Sequence, residues 1–104
     1  MNTLISHGGG QPFGVDVASA GTKLVTAQTL RKYLAITNTS DVPVYIGLVT
    51  STDGACPFSA GEGIYLAPEG GSFELNNVNM YYGEIWAVHA SAGATKRLSL
   101  QPGR

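Results

Sequence analysis

From Thr22 onward one unit recurs along the chain: a short run of β-branched and aromatic residues, closed at intervals of about ten residues by Gly, Asn, Asp, Ser or Pro. No stretch shows helical periodicity between recognisable caps. Runs this short bury an apolar face only by pairing side by side and packing on a second layer. The repeat therefore predicts an all-β domain with little or no helix. The expected strands are 23–28, 32–37, 44–49, 63–67, 72–75, 84–90 and 96–101, with a further one near 15–18.

Within these runs apolar residues alternate with period two, so each set shares one face of its strand. Leu34 and Ile36, then Val44, Ile46 and Leu48, then Ile64 and Leu66, then Phe73 and Leu75 form the expected core. Leu98 and Leu100 alternate with Arg97, Ser99 and Gln101, the pattern of a strand with one wet face. Trp86 and Val88 oppose Ile85 and Ala87, which makes that strand apolar on both faces and either central or covered by a partner.

The connections have their own chemistry. Asn38-Thr39-Ser40-Asp41 offers side-chain oxygens to backbone NH groups, Gly70-Gly71 permits positive φ, and Pro68 ends the strand before it. The longest connection, 50–61, includes Cys56-Pro57 and a lone Phe58. Residues 1–16, with Gly8-Gly9-Gly10, Pro12 and Gly14 close together, read as an extended N-terminal arm that needs a neighbour to hold it. The expected organisation is this arm and one domain over 17–104. The domain is a single antiparallel β-sandwich, jelly-roll or immunoglobulin-like.

Only 12% of the 104 residues are charged, and six basic against seven acidic residues leave a net charge of −1. Scattered and nearly balanced charge gives no footprint for a phosphate backbone, so nucleic acid is not an expected partner. Met1 to Gly10 has no basic stretch leading into an apolar run, and no segment is apolar enough to span a bilayer. Neither secretion nor membrane insertion is expected. A single cysteine, Cys56, excludes an internal disulfide and fits folding in a reducing cytoplasm.

Catalytic chemistry finds little support. The glycine-rich start lacks the Lys-Ser/Thr of a phosphate loop. His7 and His89 are far apart with no ligand partner at metal spacing, so no metal or other cofactor is expected. No Gly-x-Ser-x-Gly occurs. A Cys56–His89 pair is what chance supplies in a chain with so few of each, and isolated carboxylates such as Glu69, Glu74 and Glu84 are ordinarily solvated. The chain does not read as an enzyme.

Contact residues are more legible. Asn79-Met80-Tyr81-Tyr82 sits in a polar connection, and such residues combine contact area with adaptable hydrogen bonding. Against this stands the reading of Tyr81 or Tyr82 as a corner residue packed over the sandwich end. Phe13 in the arm and Phe58 in the long connection complete the candidate partner-binding set.

Three stretches resemble small structural proteins of tailed-bacteriophage virions. They are Arg31-Lys32-Tyr33-Leu34-Ala35-Ile36-Thr37-Asn38-Thr39-Ser40-Asp41 continuing to Val44-Tyr45-Ile46-Gly47, then Gly63-Ile64-Tyr65-Leu66-Ala67-Pro68-Glu69-Gly70-Gly71-Ser72-Phe73-Glu74-Leu75, and Gly83-Glu84-Ile85-Trp86-Ala87-Val88. Together they span roughly residues 28–90, and their order looks most like that of capsid decoration or cement proteins. The resemblance is to a pattern of strands and turns and extends neither to the arm nor to 50–61. It implies a subunit on the capsid exterior, made in the host cytoplasm, that binds the major capsid protein lattice, stabilises the shell and forms a homo-oligomer.

Two alternatives remain open at this point. A neck, tail or head-fibre-base protein of the virion would share the fold. A carbohydrate-binding module would need Tyr81, Tyr82 or Trp86 exposed as a flat platform, so a buried Trp86 would count against it.

Overall fold

The computed structural model describes residues 11–26, 32–49, 56–76, 78–91 and 95–103. Eight strands account for most of them: β1 Phe13–Ala18, β2 Thr22–Val25, β3 Tyr33–Asn38, β4 Val44–Val49, β5 Ile64–Leu66, β6 Ser72–Leu75, β7 Glu84–Val88 and β8 Thr95–Gly103. The described residues contain no helix. Each expected strand is present to within a few residues at its ends, and residues 27 and 28 lie outside the described part.

The strands form two four-stranded antiparallel sheets, in the orders β1-β8-β3-β6 and β2-β7-β4-β5. Among the described strands the first pairs with the last, the second with the seventh, the third with the sixth and the fourth with the fifth, one long antiparallel ribbon wrapped into two layers. That is jelly-roll order, and it decides between the two sandwich topologies left open above.

The reading of residues 1–16 as arm is corrected at its inner boundary. Phe13 to Asp16 belong to β1, with Phe13 opposite Leu100, Val15 opposite Leu98 and Asp16 opposite Arg97. Phe13, Val15 and Val17 alternate here with Gly14 and Asp16, but the glycines and proline just upstream made the stretch read as arm; Val15 packs against the core and Val17 is buried within it. Residues 1–10 lie outside the described part.

Between the sheets lies a continuous core of Val17, Leu24, Leu34, Ile36, Val44, Ile46, Leu66, Leu75, Ile85, Ala87, Leu98 and Leu100, with Ile64 and Phe73 packed at its margin. Burying each large aliphatic side chain stabilises the fold by roughly 1.5–3 kcal/mol. Leu48, expected in this set, is 39% exposed. β5 pairs only with residues Val44 to Ile46 of β4, so the end of β4 runs past its neighbour and Leu48 has β7 on one side alone.

Strand direction gives the sandwich two unlike ends. Short connections, 19–21, 39–43, 67–71 and 89–94, gather at one, which we call the closed end. There the buried Asn38 amide donates to the carbonyls of Val42 (2.8 Å) and Leu66 (3.0 Å) and accepts from the Ser40 amide (3.0 Å) and hydroxyl (2.6 Å). Glu69 (φ 57°) and Gly70 (φ 131°) turn the chain in the left-handed region, and their amides bond to the carbonyls of Ser40 and Asn38. The opposite, open end carries the connections 26–32, 50–63 and 76–83 and the N-terminal approach to β1.

Candidate partner-binding surface

The two outer sheet faces differ in chemistry. On the β1-β8-β3-β6 sheet the outward positions are Asp16, Arg97, Ser99, Gln101, Thr37, Ser72 and Glu74, so this face is polar. Asp16 and Arg97 form a cross-strand ion pair at 2.7 Å. A hydrogen bond from Tyr33 to the Glu74 carboxylate holds the phenol above its ordinary value, aided by some burial and by the carboxylate charge.

The outer face of β2-β7-β4-β5 is mainly apolar, with Lys23 and Glu84 at one margin. Tyr65 on β5 stands opposite Tyr45 on β4, Tyr45 opposite Val88, and Gly47 opposite Trp86. The Tyr45 and Tyr65 rings meet edge-on, 5.6 Å between centroids at an interplanar angle of 63°. Trp86 is only 5% exposed. Its Nε1 donates to Glu84 Oε1 (3.1 Å), and Lys23 Nζ lies 5.9 Å from the ring centroid while pairing with Glu84 at 3.3 Å.

The segment Cys56-Pro57-Phe58 folds back over this face. Phe58 occupies the space that a Cβ on Gly47 would need, with ring carbons 2.2–2.8 Å from that position. Cys56 does the same at Gly21, beside Val88, while its thiol donates to the Phe58 carbonyl at 3.3 Å. Both glycines are thus required by close approach. The doubly apolar β7 is accordingly both central in its sheet and covered by the chain's own loop. Between this loop and the strand ends remains an open groove of about 410 Å³, lined by Ile46, Gly47, Leu48, Val49, Pro57, Phe58, Gly63 and Ile64.

The six expected contact residues are placed unequally. Phe13 opens β1 at the open end, 42% exposed, and Tyr82 is 48% exposed. Phe58 is half-buried and forms a groove wall. Asn79 is exposed but engaged, donating to the Glu74 carbonyl (3.0 Å) and accepting from the Asn76 amide (2.8 Å). Met80 and Tyr81 pack against the core, and the Tyr81 hydroxyl donates to the Val49 carbonyl. Tyr81 is therefore the corner residue of the pair, and Tyr82 the exposed one.

Sequence reasoning missed Leu48, Val78 (89% exposed) and Tyr65 (55% exposed). Val78, a lone valine between asparagines, could have been noticed. Leu48 and Tyr65 follow strand alternation and give no such signal. Phe13, Leu48, Val78 and Tyr82 all belong to the open end, so among the described residues Tyr65 is the one exposed large hydrophobic side chain placed elsewhere.

Among the described residues no three of His, Cys, Asp and Glu come together as metal ligands. His89 is buried, with Nε2 3.1 Å from the Val17 carbonyl and Nδ1 accepting from the Ser91 amide at 3.1 Å. Those partners require the Nε2–H tautomer and leave neither nitrogen to serve as a base for Cys56.

No protein-family model, curated protein or solved structure matches the chain.

Proposed function

We propose that this chain is a virion structural protein, a capsid decoration or cement subunit that binds the major capsid protein lattice through its open end and stabilises the shell. The observation that carries the reading is the polarity of the sandwich. The described turns at one end bond among themselves and one sheet face is polar, while Phe13, Val78 and Tyr82 are exposed at the other end. A small domain that presents apolar groups from one end suits attachment to a large surface through a modest footprint repeated by symmetry. Low charge fits contact by packing in place of long-range steering.

The jelly roll occurs in viral capsid and lectin domains alike and hosts unrelated functions, so the fold does not choose between them. Trp86 favours the virion reading over the carbohydrate-binding module, because a ring that is 5% exposed offers no stacking platform. The edge-on Tyr45–Tyr65 pair does not form a flat one either.

Quantitative mass spectrometry of purified virions tests the proposal. Stoichiometry comparable to that of the major capsid protein supports the shell assignment. A single ring's worth of copies moves the chain to the neck, tail or fibre base, and absence from virions overturns both.

A further inference from the structure

We infer that Leu4 and Ile5 of one copy fill the groove lined by Leu48, Pro57, Phe58 and Ile64 on a neighbouring copy, so that the N-terminal segment links subunits of this chain to one another.

Groove and segment match in chemistry. The described residues that line the groove are all apolar or glycine, and at about 410 Å³ it admits a short aliphatic segment, not a folded element. Residues 1–10 contain no Asp, Glu, Lys or Arg, and their aliphatic pair, Leu4-Ile5, is separated from β1 by Gly8-Gly9-Gly10. Beside the groove lies β5, the edge of its sheet, with no strand on its other side among the described residues. An extended segment docking there can add backbone hydrogen bonds to side-chain burial.

The placement favours a neighbour over the chain's own groove. β1 sits against β2 and β7, while β5 is the opposite edge of the β2-β7-β4-β5 sheet. The chain reaches β1 at the open end through Gln11 and Pro12, both exposed, and the residue before a proline is held extended. Ten residues span at most about 33 Å, enough to reach an adjoining copy. Each copy then offers one segment and one groove, which closes as a heterologous ring or, by reciprocal exchange, as a two-fold pair.

The test uses the full chain with Cys56→Ser, Ile5→Cys and Leu48→Cys, treated with a short bismaleimide and run on a denaturing gel. Cross-links between chains, seen as dimers and a higher ladder, are expected. Cross-links confined within one chain overturn the neighbour assignment, and none at all overturns the groove assignment. Sedimentation provides a second readout: the unmodified protein should run larger than a monomer. Ile5→Asp, outside the described sandwich, and Leu48→Asp, at an exposed position, should each return it to monomer. A monomeric parent, or variants that sediment like the parent, overturns the inference. The virion copy count is independent of this result.

Discussion

The side-chain amide of Asn38, at the end of β3, donates to the main-chain carbonyl of Leu66, at the end of β5, at 3.0 Å. These strands belong to different sheets, so one buried amide joins the two layers at the closed end. Its remaining hydrogen bonds to Ser40 and Val42 shape the connection between β3 and β4.

Replacing that amide should be costly. Asn38→Leu keeps the approximate volume but takes their Asn38 partner from the Leu66 carbonyl and the Ser40 amide, while the Val42 carbonyl keeps the Ser40 hydroxyl. Leaving buried polar groups unsatisfied costs about 1–3 kcal/mol each when no water reaches them. Urea denaturation should show a loss of about 2–4 kcal/mol for the substitution. Asn38→Asp should be at least as severe, because a carboxylate would face two carbonyl oxygens. A loss below measurement error would remove the bridge from the account of stability.

Gly47 and Phe58 should behave as a coupled pair. Gly47→Ala places a methyl group where the Phe58 ring lies, 2.2 Å from its nearest carbon, and overpacking of this kind costs about 1–3 kcal/mol. In a Phe58→Ala background the methyl group has room, so the two losses should not add. A double-mutant cycle is expected to return a coupling of about 1 kcal/mol or more. Additive losses would mean that the loop does not rest on the strand in solution.

His89→Ala should loosen β1 before the rest of the sandwich. The imidazole ties the end of β7 to the Val17 carbonyl on β1, an edge strand. Removing it leaves a small cavity and two backbone groups without partners, a cost of about 2–4 kcal/mol. Amide exchange should accelerate most at residues of β1 and at Ser91. Uniform acceleration over both sheets would point to global destabilisation alone.

Two limbs of the stability profile against pH can be assigned. The hydrogen bond and charge of Lys96 hold the Asp41 carboxyl below its ordinary 3.8. Its contribution is therefore present above that value and lost as pH falls through the lowered one. Lys96→Met should flatten this acid limb slightly, since the carboxylate is exposed and the pair is screened by salt. Tyr33 runs the other way. Its phenol is held above 10.0 chiefly by the Glu74 hydrogen bond, so its contribution is present below 10.0 and lost as pH rises through the raised value. Tyr33→Phe should flatten the alkaline limb. Unchanged limbs in chemical denaturation across pH would exclude these pairs as the cause.

Trp86 gives an optical test of the covered face. A tryptophan this buried should emit at short wavelength and resist acrylamide quenching until the protein unfolds. Glycans added at high concentration should leave the emission unchanged. A glycan-dependent shift would revive the carbohydrate-binding reading.

The amino-acid sequence by itself determined where the strands run and which of their residues face inward. Alternation with period two is a local property, and Leu34, Ile36, Val44, Ile46, Leu66, Leu75, Leu98 and Leu100 are buried as it requires. Turn chemistry at Asn38, Ser40 and Gly70 was equally legible, because the Asn38 and Ser40 side chains bond to backbone within a few residues and Gly70 takes the positive φ that glycine permits. The tertiary structure decided the rest. Alternation says which residues share a face but not which strand lies alongside, so the pairing of β1 with β8, and with it the jelly roll and the place of Phe13–Asp16 in the sheet, was settled by packing across most of the chain. Exposure at strand ends depends on how far the neighbouring strand extends and where loops fold back. That is why Leu48 emerged at the surface while Trp86, on an outward face, disappeared beneath it.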